Sequence, residues 1–229
     1  MNFFNMLRKK NKLWEKGFTV MELVVVLGIF SISSLIITEI FMAVNKTQKR
    51  VMEYQRVQSD ISYTMEVMAR AVRLGTIDYL GYSSQISNPQ TVLYLKDADG
   101  RPITFKEGAD QSEKCADNES SPCIVSGFDL DADGLIENGE EASITPKGIR
   151  ITDLKFYISP TIDPFLNTPC VAATQVEDCL SDICEASGFC QVPDRQPIAT
   201  IVISAQDTAV SNPVAMTMQT TVSSREYYR

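Results

Sequence analysis

From Leu23 to Ile37 the chain has no charged residue, and across the 21 residues from Phe18 to Thr38 the only charge is Glu22. At about 1.5 Å per helical residue, such a run spans the roughly 30 Å of a bilayer core. Nothing else in the sequence constrains the fold as much, because a helix apolar on every side has no soluble face to present. The five basic residues Arg8, Lys9, Lys10, Lys12 and Lys16 precede it, against one acid, Glu15. That asymmetry predicts a single pass with a cytoplasmic N-terminus and everything after Val44 on the extracytoplasmic side. A signal peptide would end its shorter apolar core at a small-residue cleavage site, and none follows here.

Instead the helical pattern continues. Val51, Tyr54, Val57, Ile61, Met65, Met68 and Val72 recur at intervals of three and four, with Lys49, Arg50, Glu53, Gln55, Asp60, Glu66 and Arg70 around them. This is one apolar stripe on an amphipathic helix. No proline or glycine interrupts it between Ile29 and Leu74, and Gly75 is a stop signal. The expectation is one helix from Phe18 to Leu74, about 85 Å long. Residues 18–44 form its membrane half and 45–74 its amphipathic half, which needs a cover.

The cover is read in residues 75–229. Thr91–Leu95 and Pro102–Phe105 flank a turn with Asp99-Gly100 at its tip, which predicts a hairpin. Gly148–Ser159 and Ile198–Gln206 read as strands. From Val214 on, alternation puts Val214, Met216, Met218, Thr220 and Val222 on one face. The connections are not helical crossovers, so the fold class is α+β, with an antiparallel sheet of about four or more strands laid on the amphipathic half-helix. Residues 75–90, 106–147 and 160–197 are long connections, and two of them contain all six cysteines.

Those cysteines are Cys115, Cys123, Cys170, Cys179, Cys184 and Cys190. An even count in an extracytoplasmic domain reads as disulfides. Zinc is the competing reading; the absence of any Cys-x-x-Cys pair and of any histidine counts against it. Cys115 with Cys123 is the favoured first pair, and the last four allow three connectivities.

Within the middle connection lies DLDADGLIENGE, Asp129–Glu140. Oxygen-bearing side chains recur at Asp129, Asp131, Asp133, Glu137 and Glu140, with Gly134 at the sixth position and Ile136 at the eighth. This is the pattern of a twelve-residue calcium loop, in which a hard cation takes carboxylates from alternate residues, the backbone carbonyl of Leu135 and a closing glutamate. The preceding CIVSGF is β-like and a proline follows within six residues of the loop, so the expectation is an isolated loop that rigidifies a connection. A solvated acidic turn is the competing reading.

No histidine exists, so no Ser-His or Cys-His arrangement is available, and no phosphate-binding glycine loop is present. The chain is not expected to be an enzyme. Residues 1–17 carry a net +4, leaving −12 for the rest of the −8 total. An acidic body is no partner for nucleic acid.

The stretch KGFTVMELVVVLGIF, Lys16–Phe30, resembles the signature of type IV prepilins: a short basic leader ending in glycine, then Phe-Thr-x-x-Glu and a long apolar helix. Gln58–Arg73 and Met216–Arg225 loosely resemble the larger minor pilins and the J-type minor pseudopilin of type II secretion. The resemblance implies a pilin-like fold and a structural subunit of a pilus or secretion pseudopilus. Its partners would be a prepilin peptidase, other pilin or pseudopilin subunits and the inner membrane. It also implies removal of a leader, 1–17, by cleavage after Gly17, N-methylation of Phe18, and pairing of Glu22 with a neighbour's N-terminal amine. Common pilins often carry a proline about 22 residues into the mature helix; here Glu39 stands there. A single-pass anchored binding module that forms no filament is the alternative.

Overall fold

The computed structural model describes residues 17–82, 86–108, 115, 122–166, 169–171, 179, 183–185, 187–191, 196–208 and 213–224. The expected leader, residues 1–16, lies outside them. The chain divides into two compact units, Met1–Val51 and Met52–Arg229.

A single helix, α1, runs over the 55 residues Val20–Leu74. It begins two residues later than expected because Thr19 is its cap. The Thr19 hydroxyl accepts the amide of Glu22 at 3.2 Å, and the Thr19 carbonyl accepts that of Leu23 at 3.1 Å. The helix passes unbroken through Glu39. It stops at Gly75, whose amide donates to the Ala71 carbonyl at 2.9 Å. A Cβ at Gly75 would collide with the carbonyl oxygen of Lys96, so only glycine lets the chain turn there.

In the first unit, the described part of α1 buries no side chain: every residue from 17 to 51 is exposed except Ser34 and Asn45, which are partly so. In the second unit, Val57, Ile61, Met65, Met68 and Val72 are buried, joined by Thr64 and Ala69. The expected stripe is thus covered from Val57 onward. Val51 and Tyr54, which continue it in sequence, stay 48% and 41% exposed.

The cover is two antiparallel sheets, where the sequence suggested one. Strands β1 (Thr76–Ile77), β2 (Val92–Lys96), β3 (Pro102–Glu107), β4 (Ile124–Phe128) and β5 (Glu141–Ser143) form a five-stranded sheet in that order. Strands β6 (Ile149–Ser159), β7 (Ile198–Asp207) and β8 (Ala215–Ser223) form a three-stranded one. All pairings are antiparallel, and the expected β2–β3 hairpin turns at Asp97–Gly100. The β-like stretch before the acidic loop is β4; β1 and β5 are too short to show a period. The core is one cluster in which Met68 and Val72 of α1 meet Leu93, Phe105, Phe156 and Ile201. The alternation of β8 holds: Val214 and Val222 are buried, and Met216 and Met218 pack half-buried on the core.

Two side chains act as surrogate strands. The hydroxyl of the half-buried Tyr82 donates to the carbonyl of Val92 at 3.1 Å and accepts the amide of Tyr94 at 2.9 Å, extending β2 where β1 runs out. Burial pushes this phenol well above its ordinary pKa, so it remains a donor. The Asn88 amide does the same for β6, donating to the Ile158 carbonyl at 2.8 Å and accepting its amide at 2.9 Å.

Candidate functional site

The N-terminal motif is built by helix-start chemistry. Thr19, Val20, Met21 and Glu22 have the spacing of a capping box, in which the first residue's hydroxyl takes the amide of the fourth. The structure places that bond between Thr19 and Glu22. Glu22 lies in the first turn, where the helix dipole favours an anion. Gly17, Phe18 and Glu22 are all exposed. The capping role of Thr19 is legible in the threonine-to-glutamate spacing.

Helix α1 is long and apolar enough to cross a membrane, by length and composition. Three hydroxyls there are turned inward on the backbone. The hydroxyls of Ser31, Ser33 and Thr38 donate to the carbonyls of Leu27, Ile29 and Ser34, each at 2.8 Å. Polar groups satisfied in this way cost little in lipid.

The acidic loop follows β4 directly. Asp129 is buried at 4% exposure, and its two carboxylate oxygens accept the amides of Ala132 at 2.7 Å and Gly134 at 3.0 Å. Asp131 accepts the amide of Asp133, and Asp133 accepts that of Leu135. Within the loop the backbone is left-handed at Gly134, φ 87°, and at Ala132, φ 64°. Carboxylate oxygens of Asp129, Asp131 and Asp133 lie within 4.8 Å of one another. Calcium holds oxygens at about 2.4 Å, so ligands on opposite sides of one ion stand no more than about 4.8 Å apart, and the trio fits a single ion. Among the described residues no lysine or arginine forms an ion pair with it.

The remaining expected ligands are placed differently. Glu140 is not part of the trio. One of its oxygens accepts the amides of Leu130 at 2.6 Å and Asp131 at 3.3 Å, and the other accepts that of Glu137 at 3.1 Å. It closes the loop through backbone amides. The carboxylate of Glu137 also stands outside the trio. Leu135 is exposed, while Ile136 packs over Gly127 of β4.

All six cysteines are paired: Cys115 with Cys123, Cys170 with Cys184, and Cys179 with Cys190. The last two bridges interlock in sequence and lie side by side, bringing the sulfurs of Cys170, Cys179 and Cys190 within 4.8 Å. These sulfurs are disulfide-bonded, so none is a thiolate ready for zinc. No family model, no curated protein and no solved structure matches this chain.

Proposed function

We propose that the chain is a structural subunit, of the minor kind, of a type IV pilus or a type II secretion pseudopilus. In this reading a prepilin peptidase cuts after Gly17, Phe18 becomes the methylated N-terminus, and α1 anchors the subunit in the inner membrane with its head extracytoplasmic. On assembly Glu22 pairs with the N-terminal amine of a neighbouring subunit.

The observation that carries the proposal is that Gly17-Phe18-Thr19-Val20-Met21-Glu22 stands at the start of a 55-residue helix, which buries none of its first half. A carboxylate in hydrocarbon costs at least about 2.5 kcal/mol, so Glu22 calls for a partner, and a freed amine at residue 18 is the nearest cation the chemistry offers. An uncovered all-apolar helix likewise calls for lipid or for other helices. Its test is the full chain expressed with a prepilin peptidase. The wild type is expected to lose 17 residues, whereas Gly17→Leu stays uncut. Equal mobility of the two on a denaturing gel overturns the reading.

Calcium is proposed as the ion of the acidic loop, with Asp129, Asp131 and Asp133 as ligands, while Glu140 closes the loop through backbone amides. The ion would neutralise three clustered carboxylates and pin the loop to β4. At a hundredfold excess over its dissociation constant it would add about 2.7 kcal/mol to the folded state. A melting temperature that rises with calcium, falls with chelator, and becomes insensitive to both in Asp129→Ala is the expected outcome. A wild type indifferent to chelator removes the ion from the account.

A further inference from the structure

Residues 18–45 contain two glutamates, Glu22 and Glu39, and no lysine or arginine. Glu39 does not mark the end of the apolar segment. Ile40, Phe41, Met42, Ala43 and Val44 follow it, all exposed. Any surface that covers this segment to its end encloses Glu39 as well, and an enclosed carboxylate is costly without a cation. Its own helix offers none within one turn: Leu35, Ile36, Met42 and Ala43 stand at the three- and four-residue positions.

Glu39, Lys46 and Glu53 follow one another at seven-residue intervals along α1. That interval keeps residues on one side of a helix, two turns apart, and here the charges alternate in sign. All three are exposed, and among the described residues none forms an ion pair. Arg73, with a longer side chain, reaches Glu66 over the same interval at 3.3 Å; Lys46 reaches neither of its glutamates. The alternation stops at Arg56 and Asp60, which pair with each other at 3.8 Å.

We propose, resting on the assembly reading above, that this row of charges sets the register between parallel copies of the chain. A second copy shifted outward along the helix axis by seven residues puts its Glu39 beside Lys46 of the first, and its Lys46 beside Glu53. Copies held in one membrane with their heads on the same side lie parallel, so the contact is open to them. Without a shift the row sets like charge against like; a shift of two turns, about 10.5 Å, turns each meeting into an opposite pair. The same shift carries the Phe18 amine of the second copy to the level of Val25 in the first. That is three residues, about 4.5 Å, beyond Glu22, within the reach of a glutamate side chain. The N-terminal pair and the row therefore call for the same direction of shift and nearly the same amount. Because the shifted copy offers its own Lys46 and Glu53 to the next, the contact repeats without closing.

The test uses the full chain coexpressed with a prepilin peptidase as two differently tagged copies, and reads capture of one copy by the other from membranes dissolved in mild detergent. Wild type is expected to capture wild type. Glu39→Lys should capture itself about tenfold less, and Lys46→Glu less still, because it spoils both pairs. Glu39→Lys coexpressed with Lys46→Glu should recover capture, each copy supplying the charge that the other lost; a role within one chain gives no such recovery. In intact membranes, Glu39→Cys in one copy and Lys46→Cys in the other should cross-link on mild oxidation, the native cysteines being bonded to one another. Either cysteine variant alone is about 10.5 Å out of level with itself and should cross-link about tenfold less. No recovery in the mixture, single variants that capture themselves as wild type does, or no preference for the 39–46 cross-link would each overturn the proposal. So would a loss confined to Lys46→Glu, which points to an anionic lipid headgroup as the partner. A chain left uncut after Gly17 fails the assembly reading, whereas a cut chain without the recovery fails only the register.

Discussion

The two halves of α1 have nearly the same backbone and opposite fates. From Val57 to Val72 the helix buries seven side chains in the head. Before Val51 it gives none, although its sequence is far more apolar. Burial therefore does not follow hydrophobicity along this helix; it follows where the rest of the chain folds. The amphipathic half is finished by intramolecular packing. The more apolar half has no such packing among the described residues.

That contrast is open to direct attack. Met68 is fully buried and Leu27 is 55% exposed. Met68→Ala should destabilise the head by about 3 kcal/mol, from lost transfer energy and the cavity left behind. Leu27→Ala should leave head unfolding within about 0.5 kcal/mol of wild type. Denaturant titration of the full chain in detergent, followed by head tryptic susceptibility, compares them. A large effect of Leu27→Ala would mean that the two halves are coupled and the contrast is false.

A smaller effect sharpens the point where the helix ends. The Ser224 hydroxyl is buried and donates to the Gly75 carbonyl at 3.0 Å, tying the end of β8 to the helix stop. Ser224→Ala strands that carbonyl and should cost about 1 kcal/mol in the same titration. No loss would show that the carbonyl is satisfied otherwise.

The smallest effect concerns the β2–β3 turn. Asp97 accepts the Arg101 amide at 2.9 Å, then that of Asp99, and pairs with the Arg101 side chain. These bonds, the Arg101 amide foremost, hold its carboxyl below the usual range. A folded-state pKa below the unfolded one means that the stabilisation is full above the unfolded value and is lost as pH falls through the folded one. Asp97→Asn should therefore be slightly less stable than wild type at neutral pH, the gap closing in acid. A gap that persists in acid would assign the turn's stability to shape rather than charge.

The sequence exposed those features whose physics is local and periodic. The helix from Val20 to Leu74, its stop at Gly75, the hairpin at Asp97–Gly100 and the alternation of β8 are each written in neighbours a few residues apart. The division into two sheets was not, because it depends on Gln90, Asn88 and Pro122 meeting β6 from distant parts of the chain. The end of the buried stripe at Val57 was hidden for the same reason, since Val51 and Tyr54 keep the period but lack the cover. In the acidic loop, the alternation of Asp129, Asp131 and Asp133 was enough to predict their convergence. The position of Glu140 was not, because its carboxylate is claimed by amides that no pattern of carboxylates reveals.

The crossed bridges near the C-terminal end have a consequence for durability. Cys170–Cys184 and Cys179–Cys190 overlap in sequence, so every peptide bond between 170 and 190 lies inside at least one covalent ring. Pairing neighbours in order would leave the bonds from 179 to 184 unguarded. With the crossed arrangement a protease that nicks this segment once, anywhere, releases nothing. The two fragments stay tethered, and the damage shows only when the disulfides are reduced.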